Sequence, residues 1–179
     1  MPATAHDTNV TDHVRDIERG YAGEPHPIQT YGPLVATFNG LFGGFLIAYV
    51  RSGRELPAEL STKDVVLLAT ASHKLSRIIT KDRVMAAVRA PFTRFQRSSG
   101  HGEVEEEARG EGLRHAVGEL LVCPYCIGLW VAGAFTVGRI VRPRETRVVA
   151  STFTMLFISD CLQLAYKAAE NAVDRAAES

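Results

Sequence analysis

The chain has 179 residues, 46% of them hydrophobic, and its 20 basic and 20 acidic side chains give zero formal net charge. That length fits one domain, and with no basic stripe interleaved with aromatics, nucleic acid is excluded as an expected partner. Three cysteines are too few for a disulfide framework.

The apolar residues are gathered into blocks near 31–50, 63–79, 127–141 and 148–166, with the charges between them. That segregation predicts an all-α fold, a polytopic membrane protein of about four transmembrane helices. The alternative is three spans plus one helix lying on the bilayer surface.

Residues 1–30 are polar and read as a mobile tail, with a short amphipathic helix over Val10–Tyr21 broken by Gly23-Glu24-Pro25-His26-Pro27. Asp7, Asp12, Asp16 and Glu18 interrupt any apolar region a cleaved signal peptide would need. The first span is therefore expected to act as an uncleaved insertion signal.

Residues 31–50 carry no charge. About twenty residues at ~1.5 Å each cross a hydrocarbon core of roughly 30 Å. Tyr31 and Tyr49 lie near the ends, and Arg51 and Arg54 stop the run. Gly40, Gly44 and Ala48 recur every four residues, a stripe that lets another helix backbone approach closely.

Residues 63–79 form a more polar span. Ser61 or Thr62 can cap it, with Asp64 in its first turn. Val65, Leu68, Ser72, Leu75 and Ile79 make one face, and Thr70, His73, Lys74 and Arg77 the other. Residues 80–97 set Lys81, Arg83, Arg89, Arg94 and Arg97 against Asp82 alone. They read as a juxtamembrane interfacial segment organised by Asp82, Arg89, Pro91 and Phe92 and suited to anionic headgroups. Residues 98–112, rich in Ser, Gly and Glu, read as a flexible linker.

The third span runs from Ile127 to Val141, with Trp130 as an interfacial anchor and Ala134 and Gly138 as a second pair of small packing residues. Residues 142–147 form a basic turn. The last span, 148–166, contains Asp160, and residues 167–179 follow as a polar, helical tail.

Four spans place both termini on one side of a bacterial plasma membrane. The basic 80–97 segment assigns that side to the cytoplasm, while Arg142, Arg144 and Arg147 on the opposite side argue the reverse.

Several of these residues together resemble the DUF1360 family of small bacterial membrane proteins. They are Ser76-Arg77-Ile78-Ile79-Thr80-Lys81-Asp82 with Val84, Arg89-Ala90-Pro91-Phe92, Gly118-Glu119-Leu120-Leu121, and Cys123-Pro124-Tyr125-Cys126-Ile127-Gly128-Leu129-Trp130. The resemblance covers roughly residues 63–166, so the first span looks like an addition to the shared core. It implies that 63–79 is a span. It implies no activity, because the family's function is unknown.

The chemistry-bearing candidates are few. Cys123 and Cys126 have CxxC spacing at a helix start, where backbone N–H groups favour a thiolate. They serve as half of a zinc site completed by His115, His101 or Cys161, as a thiol redox pair, or simply as small packing residues. Asp160 needs a cationic partner inside its span, from Arg77, Lys74 or His73. A structural ion pair is the simpler reading of this cluster, and a proton relay the other. No catalytic constellation stands out, and Gly40–Gly44 lacks the Lys-Ser/Thr of a phosphate loop. The chain therefore reads as a non-enzymatic accessory protein with no expected cofactor. It would assemble in the lipid bilayer with itself or another membrane protein. A metal-binding or thiol-redox protein is the alternative.

Overall fold

The structure is a computed structural model that describes residues 28–177. The polar segment before Ile28, with its expected amphipathic helix, lies outside the described residues. Six helices and one hairpin follow in order: α1 (Ile28–Arg51), α2 (Thr62–Thr80), a 3-10 turn (Arg83–Met85), α3 (Ala86–Arg89), β1 (Thr93–Gly100), β2 (Glu103–Ala108), α4 (Gly112–Val122), α5 (Pro124–Val141) and α6 (Pro143–Ala177).

Local chemistry sets the helix ends. Ser61 caps α2 by accepting from the Asp64 amide at 3.2 Å, while its hydroxyl reaches the Asp64 carboxylate at 3.0 Å. α1 closes where Gly53 takes φ +76°, a left-handed conformation that only glycine adopts without strain. Pro124 opens α5, where its missing N–H is not needed.

Three helices are long and apolar enough to cross a membrane: Tyr31–Arg51, Pro124–Val141 and Pro143–Ala177. The fourth expected span, α2, is not among them, because it carries Lys63, Asp64, Lys74 and Arg77. Nor does it lie apart on a surface. It is packed between α5 and α6, around a core of Leu68, Ala71, Val131, Phe135 and Ala150. The buried side of α2 is Asp64, Leu68, Ala71, Ser72, Ser76 and Thr80. Val65, expected on one face with Leu68 and Ser72, does not share their burial and is 49% exposed. Ser76 and Thr80 donate to carbonyls one turn back, at 2.6 and 2.8 Å, so their burial leaves no hydroxyl unsatisfied.

Contacts fix the directions. Asp64 meets Arg147, the Leu67 carbonyl accepts from Thr154, and Lys74 meets Asp160, so α2 and α6 run parallel. Asp64 also meets Arg139, whereas Ser76 lies beside Gly128, so α5 runs against them. Tyr31 hydrogen-bonds Glu119 just ahead of α5, and Phe38 packs edge-on against Trp130 at 5.4 Å, so α1 runs with α5. The hairpin therefore sits at one end of the bundle, beside the start of α1 and the end of α2. The 52–61 loop sits at the other.

Two small-residue expectations divide here. α1 docks through Phe38 at the notch left by Gly133, and a Cβ at Gly40 or Gly44 would meet nothing within 4 Å. Gly138 does make a close approach: a Cβ there would lie 2.7 Å from Thr146 Oγ1 of α6. Ala134 stays exposed. Trp130 is engaged by Phe38 rather than standing alone as an anchor.

The fold is mostly helical but not all-α. Residues 98–112, expected as a linker, contribute most of an antiparallel hairpin. Its turn is Gly100-His101-Gly102, with φ of +79°, +46° and +81°. Basic β1 faces acidic β2, with Arg94 opposite Glu107 and Arg97 opposite Glu105, and such cross-strand pairs substitute for apolar ones. The basic turn expected over 142–147 is also absent. Only Arg142 separates the two helices, and 143–147 already belong to α6.

Candidate functional site

Four groups of polar side chains organise the molecule. At the end of the bundle away from the hairpin, the buried Asp64 accepts from Arg139 at 2.9 Å and from Arg147 at 2.9 and 3.1 Å. One carboxylate thus ties α2, α5 and α6 together. The Nε of Arg139 is buried with no partner among the described residues. Arg147 lies on α6 rather than in the expected outward turn, and Arg139 joins it; partners 75 and 83 positions apart leave no local pattern in the sequence.

At the other end of α2, Asp160 pairs with Lys74 at 2.7 Å. Of the three partners considered, Lys74 is the one used. Arg77 turns instead to Glu103 of the hairpin, at 2.5 and 2.7 Å. His73 stands edge-on to Phe157, 5.3 Å between centroids. The three residues do line one common cleft of 1260 Å³, between the C-terminal halves of α2 and α6 and beneath the hairpin turn.

The third group holds the hairpin to α2. Arg89 is fully buried, although the segment around it was expected to be interfacial. Its Nε and Nη2 grip Glu106 at 2.8 and 3.1 Å, and its Nη1 donates to the carbonyls of Ile79 and Asp82 at 2.8 and 3.1 Å. Thr93 Oγ1 adds a 2.8 Å contact to Glu106. Burial pushes the Glu106 carboxyl up, but the Arg89 and Thr93 hydrogen bonds outweigh it and hold the group below its ordinary value. Arg89 also satisfies an α2 carbonyl that has no partner in its own helix. Asp82 contributes its backbone to this joint, and Pro91 its carbonyl, which accepts from Arg114 at 2.6 and 2.9 Å. Phe92 contributes its carbonyl to Arg109 N–H at 2.9 Å.

The fourth group is the CxxC turn. Cys123 and Cys126 are joined in a disulfide. Cys123 caps α5, and its sulfur accepts from the Cys126 amide at 3.2 Å. Tyr125 between them is 91% exposed. The remaining candidate ligands are elsewhere: His115 lies 3.4 Å from Glu119, and Cys161 is a free, exposed thiol on α6. Among the described residues no three His, Cys, Asp or Glu side chains are gathered as a metal site would require.

Comparison with known proteins bears on the part of the chain that holds these groups. A family profile described as "Protein of unknown function (DUF1360)" matches residues 67–166. The matched stretch runs from α2 to the cleft-lining part of α6 and leaves α1 out. The sporulation protein YjcA of Bacillus subtilis (strain 168) is 34% identical over 86 residues, which cover 46% of this chain and 73% of the relative. No solved structure matches the chain.

Proposed function

The chain belongs to the DUF1360 family, and we propose that it is an integral membrane protein of four spans that acts as an accessory, assembling component rather than as an enzyme. One observation carries this reading: the bundle is inside out. Charged Asp64 and Lys74 are sheltered on α2, while Leu129, Val148, Met155 and Ile158 of the flanking helices lie 51% or more exposed. In water that arrangement wastes apolar surface; in lipid it is favourable. Sheltered between α5 and α6, α2 crosses with them despite its charges. The hairpin end, with both ends of the described chain, is assigned to the cytoplasm. The name of the Bacillus subtilis relative makes sporulation the process to examine first.

Assembly is assigned to the open stripe of Gly40, Gly44 and Ala48, which no part of the described chain covers. The protein should stay in the membrane pellet at alkaline pH and leave it only with detergent. Replacing Gly40 and Gly44 with Leu should reduce the particle to a monomer in mild detergent. Release by alkali alone would overturn the membrane reading, and an unchanged oligomer would remove the stripe.

The disulfide favours a second reading, thiol–disulfide exchange. A bridge over three positions closes too small a loop to restrain the unfolded chain much. At a cytoplasmic face, a disulfide is ordinarily transient and redox-active. The Cys123–Cys126 bond would take two electrons and two protons from a partner dithiol, which becomes a disulfide. Equilibration in dithiothreitol buffers followed by thiol alkylation should show both cysteines titrating together. Thiols that stay blocked in millimolar dithiothreitol would remove this reading.

A further inference from the structure

The cleft between α2 and α6 has an asymmetry that the accessory role does not use. Its 1260 Å³ lie where α6 continues past the end of α2, beneath the hairpin turn. Along α6, Phe157, Asp160, Leu164 and Lys167 are spaced by three or four and line the cleft as one stripe. The inner part is electrically settled, with Lys74 on Asp160 and Arg77 on Glu103. The rim is not. Among the described residues, the Arg83 guanidinium reaches only the Ser98 hydroxyl, at 3.3 Å. Among the same residues, Lys167 meets only its exposed neighbour Glu170, at 3.1 Å, a pair worth little in solvent. The remaining rim carboxylate, Asp82, makes no side-chain cap bond. Apolar Val84 and Leu164 also line the cleft.

An apolar wall under a mouth with two weakly engaged cations suits an amphiphile with an anionic head. We propose that this cleft binds one anionic phospholipid, its phosphate held by Arg83 and Lys167 and an acyl chain lying along Phe157 and Leu164. The proposal rests on the membrane reading above, which sets this end of the bundle at headgroup level. Basic pockets between membrane helices on the cytoplasmic side capture such headgroups, and arginine and lysine meet phosphate oxygens through charge-assisted bonds. Asp82 opposes the binding, which gives the site a charge signature that a non-specific annulus lacks.

Native mass spectrometry of the whole protein, released from detergent, tests this with short-chain phosphatidylglycerol, phosphatidylethanolamine and inorganic phosphate. Wild type should retain one phosphatidylglycerol at least tenfold more strongly than phosphatidylethanolamine, and should not retain phosphate alone. Arg83→Gln with Lys167→Gln should abolish that preference, whereas Asp82→Asn should strengthen it. Arg175→Gln, at the far end of α6, should change nothing and controls for total charge. Equal retention of the two lipids would overturn the proposal, as would retention unaltered in the double variant or weakened by Asp82→Asn. Binding of phosphate alone would replace the lipid with a soluble anion. Should the double variant not fold, Lys167→Gln alone must show at least a threefold loss. These outcomes are separable from the membrane reading: a chain released by alkali fails that reading, and one that stays in the membrane with unselective lipid binding fails only this one.

Discussion

Arg89→Ala should detach the hairpin from the bundle, at a cost of about 3–5 kcal/mol, the range for removing one partner of a buried ion pair. The size follows from what remains behind. Glu106, with 4% of its side chain exposed, would keep its charge and lose its bidentate partner. The Ile79 and Asp82 carbonyls would lose their donor as well. The Val104 amide, which donates to the Lys81 carbonyl at 2.9 Å, reports the joint directly. Its hydrogen exchange should accelerate on the order of 10²–10⁴-fold, since each ~1.4 kcal/mol is a factor of ten. Arg94→Ala is the matched control. Its 3.8 Å pair with Glu107 has both side chains more than half exposed, so its loss should cost at most about 1 kcal/mol.

The same pair sets a pH dependence. Glu106 is held below its ordinary pKa when folded. Its contribution is therefore complete above the unfolded value, about 4.3, and is lost as pH falls through the lowered folded value. The protection of the Val104 amide, taken relative to intrinsic exchange at each pH, should fall in acid in the wild type and less so in Glu106→Gln. Replacing Arg89 and Glu106 together with Leu removes both the attraction and the desolvation. If the double variant is as loose as Arg89→Ala, the ion pair is not what the single change breaks.

How much of this was legible beforehand depends on the range of the signal. The Ser61 cap, the Pro124 helix start and the three apolar helices were readable, because each depends on residues within a turn or on a continuous run. The hairpin was not. Its strands offer Arg94 and Arg97 against Glu105 and Glu107 in place of alternating apolar residues, and polar composition looks like a linker. The Gly100-His101-Gly102 turn between a basic and an acidic run was the available clue. The packed side of α2 was legible in part. Leu68 and Ser72 of the expected face are buried and Leu75 and Ile79 pack against the core, while Val65 is exposed and Ala71, Ser76 and Thr80, small enough to permit close approach of neighbouring helices, join the interior. Lys74 was among the candidates for Asp160 and is the one used. Nothing local linked Arg89 to Glu106, or Arg139 to Asp64.

Gly118 sets the other face of the hairpin, and substitution there should be nearly as damaging as at Arg89. A Cβ at Gly118 would lie 2.5 Å from the Phe92 carbonyl oxygen and 2.9 Å from Ala108 Cβ. The first obstacle is backbone and cannot rotate away, so either α4 or the hairpin must shift. Overpacking of that kind costs about 1–3 kcal/mol, and the branched Gly118→Val variant should exceed Gly118→Ala. The intrinsic effect has the opposite sign, because Gly→Ala inside a helix ordinarily gains up to about 1 kcal/mol. Gly128 in α5 isolates that gain, since a Cβ there would meet Ser76 Oγ at an ordinary 3.6 Å. Gly128→Ala should therefore raise the melting temperature in detergent while Gly118→Ala lowers it. Parallel shifts of the two variants would show that α4 does not press on the hairpin. Because the Gly100–Gly102 turn roofs the cleft and Glu103 holds Arg77, a displaced hairpin should also open that cleft. Gly118→Val is then expected to weaken phosphatidylglycerol retention without touching a residue that lines it.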